Sequence, residues 1–436
     1  MSDEDRSIRA FLGDRGERIS GTEADALVDL RLAGVSAFTA QGLPHRKRER
    51  WKFTDLRRLL MRETYEAARP APLPARHADR VSALPAPRLV FVNGVLDEAV
   101  SDLGQSGADI VRLEALLGGD HAALADRLGE TVEADHPMIA LNAAWMADGA
   151  IVRVPKGVDA GRLHLVSVMT GREPVMAHPR HMILLEVEAR LELVETVLGD
   201  GAGHFENAVT EIQVSDGARL DHYRHIDAPD GHVALDHLRA HVGRDAVYHG
   251  FNLAIGAGVD RTEATVRLLG QGGEARLGGA YLGRGRQHHD NTVLVRHEAP
   301  NCLSRQVFKG VLDGRAHGVF QGKIHVDRVA QKTDGYQLNK AILLSPRAEI
   351  DAKPELEIYA DDVKCSHGAT AGQIDTDALF YLRARGIPEH AARGLLIHAF
   401  LAEALEEIAA ADIRAQYQAA IDAWMAAGGF DEETEA

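Results

Sequence analysis

Cysteine is nearly absent from this 436-residue chain. Two residues, Cys302 and Cys365, cannot build a disulfide framework, and so few thiols fit a reducing compartment. Positive charge is also short. The 49 Lys and Arg against 65 Asp and Glu leave a formal net charge of −16, which excludes a general nucleic-acid binder, because phosphate contacts need basic surface. Long apolar runs are missing: Met182–Leu185 is typical of the longest, far below the ~18 residues that span a bilayer, so no membrane segment is expected. The amino-terminal residues MSDEDRSIRA are acidic and carry no apolar core of a secretory signal, so a cytoplasmic location is expected.

What the chain does have is glycine and histidine. It holds 42 glycines, a share well above the usual ~7%, and 22 histidines. Hydrophobic residues at 45% and charged residues at 26% describe a globular protein. At roughly 150 residues per domain, the length implies two or three domains.

The first 80 or so residues read as helical. Thr22-Glu23-Ala24-Asp25 has the hydroxyl and carboxylate of a helix start, Leu27, Leu30, Ala33 and Ala37 mark an apolar stripe, and Gly42-Leu43-Pro44 ends it. Arg46 to Arg62 then holds eight Lys/Arg and two acids around Trp51 and Phe53. This run reads first as a solvated charged face with two core aromatics, and second as a docking surface. Pro70, Pro72, Pro74, Pro85 and Pro87 mark a linker, after which Leu89–Val92 and Asn93-Gly94 form a strand and turn.

From about Ala150 to Val363 the hydrophobic period becomes two. Ile183, Leu185, Val187, Ala189, Leu191 and Leu193 alternate as a strand with one buried face requires. Ala189-Arg190-Leu191, Ala218-Arg219-Leu220, Asp245-Ala246-Val247 and Ala275-Arg276-Leu277 recur, with alanines about 29, 28 and 29 residues apart. Short strands at a near-constant period without intervening helices predict a β-solenoid, in which each coil buries its inward residues on its neighbours. Helices return after about residue 373. Leu379 and Leu382 precede a stop at Gly386. Ala391, Leu395, Ala399, Ala402, Leu405 and Ile408 form one expected stripe; Ile413, Tyr417, Ala420 and Trp424 form another, ended by Gly428-Gly429. The segment from Glu403 onward holds nine acids and one base, Arg414, and reads either as a cap on the solenoid end or as a docking element.

Two glycine-rich stretches are decoys. Gly318-Val319-Phe320-Gln321-Gly322-Lys323-Ile324 has too few residues between its glycines for a phosphate loop and puts Ile324 where Ser or Thr must hold magnesium. Leu269–Gly273 reads as a turn. The local group with most chemistry is Lys364-Cys365-Ser366-His367. Cys365 and His367 are two apart, so on a strand they face the same way, and thiolate plus imidazole suits zinc, copper or iron. Lys364 is placed to favour the thiolate. Two ligands make only half a site, to be completed by Cys302, another chain or exogenous ligands. His288-His289-Asp290 and the pair His222 and His225 are weaker metal candidates; adjacent strand residues such as His288 and His289 face opposite sides, so these read first as surface histidines on turns. Glu349 and Asp351 share a strand face, as a polysaccharide-cleaving solenoid enzyme would require, and that enzyme is the alternative reading.

A resemblance enters here. Ala330–Asn339, Leu343-Leu344-Ser345, Ala348–Pro354, Asp361–Thr370 and Leu379–Gly386, with Glu49–Thr54 and Phe91–Gly94 upstream, resemble the SufB/SufD family of iron–sulfur cluster assembly proteins. The resemblance is nearer its SufD branch, since Gly368 follows His367 and no amino-terminal Cys-x-x-Cys is present. It implies a right-handed parallel β-helix flanked by helical domains: an N-terminal helical domain and linker over 1–85, an α/β connection over 86–150, a β-helix core over 151–372 and a C-terminal helical domain over 373–436. It further implies a non-catalytic scaffold that pairs with a SufB-like subunit through the β-helix and docks a SufC-like ATPase through the C-terminal helices. Cys365 and His367 then match the family's interface residues, with His367 an iron or nascent-cluster ligand and Cys365 a neighbouring thiol. Whether a flavin binds the complex, and whether the chain forms a homodimer alone, stay open.

Overall fold

In the computed structural model the residues described are 3–13, 25–117, 122–133, 136–201 and 203–428. The expected helix start at Thr22–Ala24 and the stop residue Gly429 lie outside them.

The strands from Ala150 to Gly372 alternate between two parallel sheets. One sheet runs through Ala150–Val154, Arg180–Leu185, Phe205–Val214, Val233–Val242, Val259–Leu268, His288–His297, His317–Val326 and Glu349–Ile358. The other runs through Asp159–Met169, Arg190–Gly199, Arg219–Asp227, Val247–Ile255, Glu274–Gly283, Leu303–Leu312, Asp334–Leu343 and Lys364–Gly372. Each coil thus contributes one strand to each sheet, and the expected β-solenoid is what forms. The register partners Arg190, Arg219, Val247, Glu274, Leu303, Asp334 and Lys364 are 27 to 31 residues apart. The coil length therefore varies, and the partner of Ala275 in the preceding coil is Tyr248 rather than the Ala246 suggested by the repeat. Turns absorb the difference, with left-handed residues at Gly217 (φ 68°), Asp245 (φ 52°), Gly272 (φ 73°) and Asn301 (φ 59°).

Period-two alternation decides which side chains enter the solenoid. Leu191, Leu220, Tyr248 and Ala275 from one sheet meet Ile212, Ala240, Val266 and Val295 from the other. At ~1.5–3 kcal/mol for each large apolar side chain, this interior is the main stabilising element of the chain. The opposite face of the second sheet carries Val194, Tyr223, Phe251, Leu282 and Val311, which bury against the C-terminal helices Glu389–Leu405 and Ala411–Ala427. The outward face of the first sheet, at Phe205, Val233, Leu235 and Val259, packs under the N-terminal helical segments with Phe38, Trp51, Leu56 and Met138.

Two expected helix faces are corrected. In the helix Asp25–Gln41 the buried residues are Leu27, Arg31, Gly34 and Phe38. Gly34 is required there because a Cβ would stand 2.6 Å from the Ala140 carbonyl oxygen of the helix Pro137–Trp145. In Glu389–Leu405 the buried face is Ala392, Ile397, Leu401, Ala404 and Leu405, whereas Leu395 is 52% exposed. Of the second stripe, Ile413, Tyr417 and Trp424 are buried as expected, and Ala420 is half-buried.

Candidate functional site

Cys365 and His367 lie on the strand Lys364–Gly372, the last of its sheet. Register tells where they point. Cys365 continues the column Leu191, Leu220, Tyr248, Ala275, Ser304 and Gly335, and His367 continues the column His222, Gly250, Leu277, Gln306 and Gln337. The residues of these columns in the earlier coils face the solenoid interior. In the last coil no further turn among the described residues covers them, and Cys365 is half-buried and His367 exposed. The pair therefore occupies the open mouth of the solenoid. Gln337, directly beneath His367, is fully buried and its Oε1 has no partner. Cys365 packs against the small buried cluster of Ile324, Val326, Ala330 and Ala360.

The thiol is not activated in the isolated chain. Burial raises the Cys365 pKa above its ordinary value, Asp334 adds to the rise and the Gly335 amide opposes it. Lys364, one residue away, points to the other face of the strand, so the expected activation by that ammonium does not arise. Cys302 cannot complete the site. It is 1% exposed, its Sγ lies 3.3 Å from the Gly270 carbonyl oxygen, and it precedes the strand two ladder positions below Cys365, a separation of about 9.6 Å at the usual strand spacing.

The other candidates resolve differently from the expectation. His288 and His289 open a strand rather than sitting on a surface turn. His289 points inward and is buried; His288 points out to the N-terminal segment, where its Nε2 lies 2.8 Å from Thr54 Oγ1. His288 Nδ1 is 3.1 Å from His317 Nδ1, and His317 Nε2 is 2.8 Å from Asp351. Asp351 is thus taken by a histidine, and no free carboxylate pair with Glu349 exists to support polysaccharide cleavage. His222 and His225 are also buried, because their strand turns those positions to packed faces. Gly318–Lys323 lies within the strand His317–Val326, confirming that it is no phosphate loop.

Burial of polar residues inside the solenoid was not legible beforehand. Arg224 reaches across from one sheet to Asp236 (3.6 Å) and Asp260 (3.4 Å) of the other, and His222 Nε2 stands 3.4 Å from Glu195. Glu206, on the same inner face, is buried with one carboxylate oxygen unpartnered. Burial pushes the Glu206 carboxyl up to about 7, against the opposing effects of Ser167 and Arg224; Asp236 and Glu195 add to the rise. One cue was available: His222, Arg224 and Asn252 share the parity of Leu220, Ile226 and Ala254.

A second cluster lies on the outer face of the first sheet. His136, His237 and Glu263 bring one ligand atom each within 4.8 Å of the others. The carboxylate oxygens already accept from Arg239 Nη2 (2.8 Å) and Arg261 Nη2 (3.0 Å), and His136 Nε2 is 3.1 Å away. His136 Nδ1 accepts the Ile139 amide at the start of the helix Pro137–Trp145, so Nε2 carries the proton toward Glu263. Burial raises the Glu263 pKa, but His136, Arg239 and Arg261 outweigh it and hold the carboxyl well below its usual range. Two guanidinium groups already supply the cationic charge here, so this is an ion network that fastens the N-terminal segment to the solenoid.

Sequence comparison agrees with the fold. The model of the SUF system FeS cluster assembly SufBD core domain matches residues 167–400, and that of the SufBD protein N-terminal region matches residues 3–163. The chain belongs to the SufBD family. This SufBD-family chain is 32% identical to the iron–sulfur cluster assembly protein SufD of Escherichia coli, over 87% of its own length and 89% of that protein. It is 31% identical to a SufBD-family iron–sulfur cluster assembly protein of Synechocystis, over 91% and 90% of the two chains. It is also 29% identical to the chloroplastic protein ABCI7 of Arabidopsis thaliana, over 92% and 87%. It is an iron–sulfur cluster assembly protein of SufD type. Among the described residues no helix is long and apolar enough to cross a membrane.

Proposed function

We propose that this chain is the SufD-like half of a cytoplasmic scaffold on which iron–sulfur clusters are built, with Cys365 and His367 presented to a SufB-like subunit at the open end of the solenoid. The observation that carries this reading is the placement of a thiol and an imidazole, two residues apart, on inward columns of the last coil, which no further strand covers among the described residues. The imidazole offers a nitrogen ligand to iron, which is cargo here. The thiol becomes a ligand only when a metal or a partner's charge lowers its pKa. Two ligands from one chain leave the remaining positions to the partner.

The C-terminal helices supply the second contact of the scaffold. Phe380, Tyr381 and Leu395 are 73%, 56% and 52% exposed on Thr376–Arg383 and Glu389–Leu405, an apolar surface suited to a docked ATPase subunit. In this reading the chain itself catalyses nothing, and ATP is consumed by the partner.

The test uses the complex co-expressed with its SufB-like and ATPase partners and isolated without oxygen. His367→Ala is expected to lower bound iron and cluster maturation while the complex assembles and melts as before; Cys365→Ser gives a smaller loss. Iron loading equal to the parent complex in both variants refutes the assignment.

A further inference from the structure

The solenoid is polar just below its open mouth. Gln306 and Gln337 precede His367 in one inward column, and the coil before them carries Leu277 at the same position. Both glutamines are 0% exposed. Neither amide atom of Gln306 has a partner, and Gln337 Oε1 has none either. Buried amide atoms without hydrogen bonds are costly, and Leu277 shows that an apolar side chain fits this column. The polar run therefore belongs to the three coils that end at the mouth, with Gln306 deepest, then Gln337, then His367.

Gln337 is held in one orientation. Its Nε2 donates to the Gly322 carbonyl oxygen on the facing sheet at 3.3 Å, so the amide cannot turn over without losing that bond, and Oε1 stays the free end. Gly322 leaves the room for it, since a Cβ there would stand 2.6 Å from Oε1. Above Gly322 on its own sheet is Pro354, which has no amide hydrogen to give. Above Gln337 is His367, one strand spacing of about 4.8 Å away. Its imidazole is exposed and, among the described residues, makes no hydrogen bond. Cys365 has no such neighbour, because the residue beneath it is Gly335.

We propose that Gln337 is the positioning residue for His367: when the mouth holds a metal ion, one ring nitrogen of His367 donates its hydrogen to Gln337 Oε1 and the other keeps its lone pair turned to the ion. The inference rests on the reading of Cys365 and His367 given above. An imidazole bound to metal through one nitrogen carries hydrogen on the other, and a buried acceptor for that hydrogen fixes ring orientation and tautomer together. In the chain alone the ring stands free and the acceptor is unpaired, so metal binding completes a bond that folding leaves unmade.

The test titrates cobalt(II) ion into the full chain without oxygen and follows the sulfur-to-cobalt charge-transfer band, which Cys365→Ser should abolish. The melting temperature of each metal-free variant is read beside it. Gln337→Leu is expected to weaken cobalt binding about 10–100-fold, with the metal-free melting temperature unchanged or raised. Gln337→Glu keeps an acceptor under the ring and is expected to bind close to the parent affinity, while its buried carboxyl lowers the metal-free melting temperature. A glutamine that only packs would not rank binding and stability in opposite orders. If Gln337→Leu binds cobalt like the parent while His367→Ala binds it weakly, the positioning role is refuted and the site at the mouth stands. If His367→Ala binds like the parent, or the band survives in Cys365→Ser or is missing from the parent, the reading of the mouth fails and this inference with it.

Discussion

Replacing Glu206 by glutamine changes one atom of the solenoid interior and removes its ability to ionise. The carboxyl titrates at 4.5 when solvated and is pushed up to about 7 in the folded chain by burial, with Asp236 and Glu195 adding to it and Arg224 and Ser167 opposing. Because the folded-state pKa is raised, the folded form holds the proton more tightly than the unfolded one. The stabilisation this gives is complete below about pH 4.5 and is lost as pH rises to about 7. A gap of roughly 2.5 pH units at 1.36 kcal/mol each is an upper bound of about 3 kcal/mol. Glutamine cannot lose that proton, so Glu206→Gln is expected to match the parent near pH 4.5 and to exceed it by up to about 3 kcal/mol at pH 8. In urea, with a slope of about 3 kcal/mol per molar, the midpoint at pH 8 moves up by about 1 M. Comparing variant and parent at each pH cancels the titration of most other groups. The exception is Asp236, itself raised by burial, whose burden lightens once its neighbour is neutral. A variant–parent difference that is the same at pH 5 and pH 8 refutes the assignment of Glu206 as a buried neutral acid.

Other outcomes are expected from the same structure. Glu211 binds Arg180 through Nε (3.0 Å) and Nη2 (2.6 Å), both side chains being 0–1% exposed, so Glu211→Ala strands a buried guanidinium and costs about 3–5 kcal/mol by chemical denaturation. The double variant Glu211→Leu/Arg180→Met recovers most of that loss, and a single variant that loses less than about 1 kcal/mol contradicts it. Gly149→Ala would bring a Cβ within 1.7 Å of the Arg180 carbonyl oxygen, so the strands Ala150–Val154 and Arg180–Leu185 cannot stay in register and the melting temperature is expected to fall by several degrees. Tyr417 is buried with an unpartnered hydroxyl; Tyr417→Phe removes that cost and is expected to raise stability by about 1 kcal/mol, and a lowering of that size counts against the burial.

The solenoid was legible because inward positions such as Leu191, Leu220 and Val266 keep a period of two across coils, and nothing but a stack of strands satisfies that pattern for two hundred residues. The coil length was legible only approximately, since turns change length without disturbing register, as the pairing of Ala275 with Tyr248 rather than Ala246 shows. The face of the C-terminal helix failed for a different reason. Ala391, Ala392, Ala399, Ala402 and Ala404 offer too little contrast for periodicity to choose among them, and the choice fell to the shape of the sheet at Phe251 and Val311. Cys365 and His367 could be paired from their spacing alone. That theirs is the uncovered coil depends on where the chain stops making strands, which parity does not reveal. His222, His225 and His289 were read as surface residues because residue type outvoted their position, although position was the better guide; Arg224 and the carboxylates around it drew no reading at all.

In the backbone ladders each coil pairs with the one before it and the one after, so strand pairing runs as a row of seams, strapped from outside by the C-terminal helices and the N-terminal segment. A lesion in a middle strand, such as a proline at Val266, cuts the row into two stretches that no longer support one another, whereas the same lesion near Gly372 frays a single terminus. Pro354 already stands in the terminal strand Glu349–Ile358, at the end of the row where a missing backbone donor interrupts least. Pulled along its axis, such a chain should come apart one turn at a time, giving a sawtooth of similar small releases instead of a single rupture.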